Sequence, residues 1–311
     1  MALDEARELG RNAEEWGYSR LWVAEHHNMA GVTTAATSLV ISHIAAGTKT
    51  LRVGAGGIML PNHAPYVIAE QFGTLETLYP GRIDLGLGRA PGTDQATLRA
   101  LRRDPNAAEY FPDDVKELQA FLAPHQAGQR IEAVPGSGTN VPLWILGSST
   151  FGAQVAAKFG LPFGFASHFA PDSLDPALQI YRSTFQPSAQ QAKPYALVGV
   201  NVIAAETDAE ARHLATSQQM SFADLFRGER RVMQPPIDDI ETYWSPREKA
   251  QARSMLQFSI VGSRDTVRTG LSVLLERTHA DELMVVSDIY DPSERLKSFE
   301  RIAEIGRSLR S

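Results

Sequence analysis

The chain has 311 residues, 30 Lys and Arg against 36 Asp and Glu for a formal net charge of −6, and no cysteine. With 43% hydrophobic and 21% charged residues it is too apolar for a disordered chain. The lack of Cys excludes a disulfide scaffold, an iron–sulfur centre and a cysteine nucleophile. The mildly acidic balance, with no Lys/Arg block, speaks against a nucleic-acid partner.

The opening Met1-Ala2-Leu3-Asp4-Glu5 has no basic segment leading into an apolar one, as an export signal would. The charge-free stretch from Asn28 to Thr48 holds Thr33, Thr34, Thr37, Ser38, Ser42 and His43, too polar to span a bilayer. It reads as a loop followed by a well-buried helix. A cytoplasmic protein with no membrane partner is the expectation.

Taken in order, a helix over Asp4–Trp16 precedes a strand at Arg20–Ala24. A strand at Leu51–Ala55, a helix at Tyr66–Leu78 and a strand at Ile83–Leu87 follow. Arg89–Pro112 reads as a long loop and Asp113–Leu122 as a helix. Next come a strand at Pro142–Leu146, a helix at Thr150–Phe159 and strands at Phe163–Ser167 and Tyr195–Ala204. Helices at Asp208–Ser217, Pro246–Phe258 and Thr266–Thr278 lead to a last strand at Glu282–Ser287. Apolar runs alternating with amphipathic stretches predict βα units around a parallel sheet. One unit recurs: a helix, a Gly stop (Gly17, Gly160), a strand, then His26 or His168. Glu206–Gln257, charged and carrying Pro235-Pro236, reads as a helical insertion with a mobile middle, acting as a lid on a single domain spanning 1–311. Seven strands leave a (β/α)8 TIM barrel one short, so either a strand lies upstream of Met1 or the closure is unusual.

The chemistry-bearing residues gather at strand ends: Glu25-His26-His27, Gly56-Gly57, Gly88-Arg89, Gly147-Ser148-Ser149 and Ser167-His168. In a parallel barrel these share the carboxyl-end face, where active sites sit. Gly147-Ser148-Ser149-Thr150 turns a strand into a helix, whose free amides favour an anion. Alone it is better explained by an ordinary Ser/Thr cap; Arg89, a bidentate phosphate partner, tips the reading toward phosphate. Ala55-Gly56-Gly57 offers bare backbone that a flat ring can approach. Gly86-Leu87-Gly88-Arg89-Ala90-Pro91-Gly92 has the wrong spacing for a dinucleotide loop. Adjacent His26 and His27 point to opposite sides of an extended chain, so no metal site is expected, and acid/base work or pocket lining suits them better. His63, in Pro61-Asn62-His63-Ala64-Pro65, reads as local structure. No G-x-S-x-G elbow is present.

Val23-Ala24-Glu25-His26-His27-Asn28, Val53-Gly54-Ala55-Gly56-Gly57-Ile58-Met59-Leu60-Pro61 and Pro80-Gly81-Arg82-Ile83-Asp84-Leu85-Gly86-Leu87-Gly88-Arg89 together resemble the bacterial luciferase-like flavin-dependent monooxygenases, of the single-chain oxidoreductase group. The resemblance covers nearly the whole chain. It implies a TIM barrel of the luciferase-like type, lacking its first strand here, that takes reduced FMN from a separate flavin reductase and uses O2 to oxidise a small organic substrate. Ala55, Gly56 and Gly57 match the segment lying against the flavin ring, often with a non-proline cis bond. Arg89, Gly147, Ser148 and Ser149 match the phosphate-binding positions, and His26 the catalytic histidine. A homodimer is implied as well. The alternatives are F420-dependent hydride transfer and a non-catalytic flavin-binding barrel.

Overall fold

The computed structural model describes residues 2–90, 94–229 and 231–309. Eight strands alternate with eleven helices among these residues. They are α1 (Ala2–Trp16), β1 (Arg20–Val23), α2 (Thr37–Ala45), β2 (Arg52–Met59), α3 (Pro65–Leu78), β3 (Ile83–Gly88), α4 (Gln95–Ala100), α5 (Phe111–Leu122), β4 (Leu143–Gly147) and α6 (Thr150–Phe159). After them come β5 (Phe163–Phe165), α7 (Leu174–Thr184), β6 (Ala196–Ala204), α8 (Asp208–Arg227), α9 (Pro246–Met255), β7 (Ile260–Gly262), α10 (Arg264–Thr278), β8 (Glu282–Val286) and α11 (Pro292–Leu309).

All strand pairs are parallel. The wall runs β1 to β6 in sequence order, and β8 pairs β6 along Leu197–Asn201. The seven strands expected from the sequence form this wall. The eighth, β7, pairs only the far end of β6, at Val202–Ala204. β1 and β8 are not paired to each other among the described residues, so the sheet is a curled barrel one strand short of closure. Parallel strands covered by helices must be apolar on both faces. Accordingly β3 and β6 are buried along their whole length.

Side chains bridge the gap between β1 and β8. Arg20 on β1 donates to Glu282 on β8 at 2.9 Å and to Asp84 on β3 at 2.6 Å. Asp84, 1% exposed, also accepts from Arg52 and from the Trp22 indole. The Arg20 guanidinium lies 4.8 Å from the Trp144 ring centre, and Trp144 in turn packs edge-on against Trp22 and Tyr195. The lumen at the amino ends of the strands is therefore a satisfied ionic and aromatic plug, which leaves the carboxyl ends for function. The recurring helix stop is observed twice: Gly17 and Gly160 sit at φ +83° and +62°, a left-handed conformation that favours glycine after a helix.

Several boundaries differ from the sequence reading. β2 runs on to Met59, so Gly56-Gly57 lies inside a strand, at a register shift against β3, rather than after it. The Arg89–Pro112 loop contains α4, capped by Asp94, and a 3-10 turn at Ala107–Glu109; its Pro91–Thr93 part lies outside the described residues. α8 is ten residues longer than expected. It packs with α9 and the Ile240–Thr242 turn around Ala223, Trp244 and Ala252. Arg227 to Glu248 at 2.8 Å and a Ser245/Glu248 capping box tie these pieces together. No helix among the described residues is long and apolar enough to cross a membrane.

Candidate active site

Because every wall strand points the same way, the residues after β1, β3, β4, β5 and β8 share one rim. On it the structure brings together three groups, only part of which the sequence singled out.

The first centres on Glu25, directly beyond β1 and fully buried. It accepts from His27 Nε2 at 2.8 Å, from His63 Nε2 at 2.9 Å, from the Met59 amide at 3.0 Å and from Asn62 Nδ2 at 3.3 Å. Burial works to raise this carboxyl, but hydrogen bonds from His63, His27 and Met59 outweigh it and hold it below the usual glutamate value. An ionised carboxylate only accepts, so both histidines carry a hydrogen on Nε2, and their Nδ1 atoms make no hydrogen bond among the described residues. Arg103 fixes the His63 loop by donating to the carbonyls of Pro61 and His63 at 3.0 and 2.8 Å. His26 is half-buried and makes no hydrogen bond among the described residues. His63 thus pairs with Glu25 across the rim rather than serving its own loop alone. It lies 38 residues from Glu25, so no local spacing could reveal the pair. Its place in a loop on the same rim was the available signal.

The second group is the turn after β4. Gly147 and Gly152 meet so closely that a Cβ on Gly147 would stand 3.3 Å from Gly152 Cα. This lays the first turn of α6 against the strand end. Ser149 occupies the N-cap position in extended conformation, but its hydroxyl makes no capping hydrogen bond. The ordinary cap reading is therefore not realised. Ser148 and Ser149 are exposed, and the first amides of α6 keep their donors free of a side-chain cap. Arg89, immediately after β3, lays its guanidinium 4.1 Å from the ring centre of Phe151 in that same first turn. Arg89, with no carboxylate partner among the described residues, thus rests on the first turn of α6, which Ser148 and Ser149 immediately precede in the chain.

Between them lies Ala55-Gly56-Gly57. The Gly56-Gly57 peptide bond is cis. Ala55 is fully buried, and a Cβ on Gly57 would meet Leu146 at 2.6 Å and the Gly86 carbonyl at 2.7 Å. Gly56 is the one of the three with an open side, though Trp22 Cβ stands 3.0 Å from where its Cβ would be.

Of the third group the sequence singled out only His168. Asn201 on β6 donates to the His168 carbonyl beyond β5 and to Ser259 Oγ at 3.3 Å. Gln218 on α8 donates to Asn201 Oδ1 at 3.1 Å and to Asp288 Oδ2, beyond β8, at 3.2 Å. Burial pushes the His168 imidazole down to about 4, so it is neutral at physiological pH.

A parallel α/β barrel with its polar groups on the carboxyl-end rim is an enzyme architecture. The sequence model of the family described as luciferase-like monooxygenase matches residues 1–282, and the chain belongs to that family. It is 51% identical to a protein named luciferase-like monooxygenase in Escherichia coli (strain K12), covering 99% of this chain and 92% of that one. Among solved structures it is similar to apo-MsnO8, at 33% identity, TM-score 0.85, and 98% and 92% coverage of the two chains. Two more distant structures share the fold alone. One is the oxygenating constituent of 3,6-diketocamphane monooxygenase of Pseudomonas putida in complex with FMN (17% identity, TM-score 0.68, 97% and 91% coverage). The other is an F420-dependent secondary alcohol dehydrogenase (13% identity, TM-score 0.71, 98% and 95% coverage).

Proposed function

We propose that this protein is an FMN-dependent monooxygenase that uses reduced flavin, delivered by a separate reductase, and O2 to oxidise a small organic substrate in the cytoplasm. The observation that carries the reading is Arg89 resting on Phe151 at the uncapped start of α6, beside Ser148 and Ser149. A phosphate monoester fits this donor set in charge and in hydrogen-bonding capacity. The open side of Gly56 suits a flat ring, with Ala55 and Gly57 shaping the strand around it.

When bound, reduced FMN would supply the electrons that activate O2. The residues of this chain do the rest. Arg89, Ser148, Ser149 and the Gly147 turn hold the phosphate. Glu25 keeps the Nε2 hydrogens of His27 and His63 engaged and so aims their Nδ1 atoms. His26, with no fixed partner, moves a proton at its ring nitrogens. The 206–257 insertion serves as the lid of a single 1–311 domain and excludes water from the rim. The face carrying Leu39, 71% exposed on α2, is the surface assigned to a homodimer. F420 carries a comparable ring and phosphate, and the anchor suits either cofactor; the monooxygenase name of the E. coli relative favours oxygen chemistry, and FMN with it.

The discriminating experiment measures oxygen uptake with FMN and a flavin reductase against anaerobic hydride transfer with reduced F420, over a panel of small ketones and thioethers. Oxygen uptake coupled to product formation supports the proposal; anaerobic turnover with F420 refutes it.

A further inference from the structure

The amide chain over β6 has a fixed direction. The His168 carbonyl can only accept, so the atom of Asn201 facing it is Nδ2. Asn201 Nδ2 gives its other hydrogen to Ser259 Oγ at 3.3 Å. Asn201 Oδ1 then faces Gln218, whose partner atom must be Nε2. Gln218 Nε2 spends its second hydrogen on Asp288 Oδ2 at 3.2 Å. Two valences are left over. Gln218 Oε1 accepts from no group among the described residues, and Ser259, which takes a hydrogen from Asn201, gives its own hydroxyl hydrogen to none of them. Gln218 is 2% exposed, yet its Oε1 is not sealed off as the partnerless Nδ1 of His168 is. The open space beside it is a cavity of about 270 Å³, which Gln218 and Ser259 both line.

The rest of the wall is mostly apolar, with Ala215 on α8, Ile240, Trp244, Leu256 and Val261 on β7. Glu241 and Arg253 also border the cavity, but both are exposed and stand at its mouth, and Glu241 is engaged by Lys249 at 2.6 Å. We propose that this cavity binds a small uncharged molecule with an apolar tail and a head group that both donates and accepts, a hydroxyl or a primary amide. The head group gives a hydrogen to Gln218 Oε1 and accepts one from Ser259 Oγ, and the tail packs on Trp244 and Leu256. A ketone takes the Ser259 hydrogen only and leaves Gln218 Oε1 buried and unpaired. An ammonium sets a charge among apolar groups and leaves the Ser259 hydroxyl unpaired. Each of these defects costs binding. The volume falls below the roughly 300–1,000 Å³ of pockets that hold drug-sized ligands, so the molecule is smaller than those. The site is built from the 206–257 segment and the start of β7 and needs no flavin, so its failure would leave the phosphate anchor standing.

The experiment measures binding of 1-hexanol, hexanamide, 2-hexanone and hexylamine at pH 7 by ligand-observed NMR, and locates the bound molecule by intermolecular NOEs to the Trp244 indole. The expected result is that the alcohol or the amide binds about tenfold more tightly than the ketone and the amine, with NOEs to Trp244. Ser259→Ala, which removes the donor, should lose about tenfold toward the preferred ligand. Ala215→Leu, which fills the cavity, should abolish its binding; should that variant fail to fold, Ser259→Ala and the NOEs still decide. No saturable binding of either the alcohol or the amide, ketone or amine bound as tightly, NOEs that miss Trp244, or unaltered affinity in Ser259→Ala or in a folded Ala215→Leu protein would each overturn the proposal.

Discussion

Replacing Glu25 with Gln probes the hub of the rim without changing its shape. Oε1 accepts from His27, His63 and Asn62, and Oε2 from Met59 and His63. Whichever oxygen becomes NH2, a hydrogen-bearing nitrogen then faces at least two donors. Hydrogen bonds to charged groups are worth about 1.5–3 kcal/mol each, and breaking a buried charged contact costs about 3–5 kcal/mol. Glu25→Gln should therefore lose about 3–5 kcal/mol in urea unfolding at pH 7. The sign with pH follows from the lowered native pKa. The Glu25 contribution is present above the usual glutamate value and is lost as pH falls through the lower native one. The gap between the two proteins should close on acidification, and the Nδ1 and Nε2 NMR signals of His27 and His63 should lose their fixed tautomers. A loss below about 1 kcal/mol, with parallel pH profiles, would refute the reasoning.

Three further outcomes are expected. Arg89→Ala should weaken reduced-FMN binding by about 1.5–3 kcal/mol, the value of a charge-assisted contact, in an anaerobic titration; unchanged affinity removes Arg89 from the anchor. Gly57→Ala should destabilise by about 1–3 kcal/mol through overpacking against Leu146 and Gly86; a melting temperature equal to that of the unaltered protein would show that β2 can yield there. Glu14 is surrounded by the amides of Lys49, Thr50 and Leu51; despite the opposing effect of burial, they hold it down at about 2. Its contribution should be full above the usual glutamate value and fade toward pH 2, so Glu14→Gln should flatten acid unfolding in that window, and an unaltered acid limb would contradict the assignment.

The wall of the barrel was legible because strands buried on both faces are nearly continuous apolar runs, as Ile83–Leu87 and Tyr195–Ala204 are but for Asp84 and Asn201, which the fold pairs. What escaped has physical reasons. β7 is three residues long and follows β6 only by pairing its far end, too short for any periodicity. α8 was cut at Ser217 because Thr216, Ser217 and Gln218 break its apolar pattern; they are buried polar groups, 5%, 0% and 2% exposed, and Thr216 and Gln218 serve tertiary hydrogen bonds. β2 was cut at Ala55 because glycines look like a strand's end, whereas here they let β2 and β3 approach. In the site, Arg89 and the Ser148-Ser149 turn could be read from strand ends alone. The partnership of Glu25 with His63, and of Asp288 with Gln218, is made by the fold across long stretches of chain. Asp288, just past a strand on the same rim, obeyed the rule that found His26 and could have been found by it.

The central claim is that this rim grips a tricyclic nucleotide by its phosphate. An anaerobic titration of the protein with reduced FMN and with reduced riboflavin, which differ by that phosphate alone, tests it most directly. FMN should bind at least about tenfold more tightly, with the advantage abolished in Arg89→Ala; equal affinities for the two flavins would contradict the account.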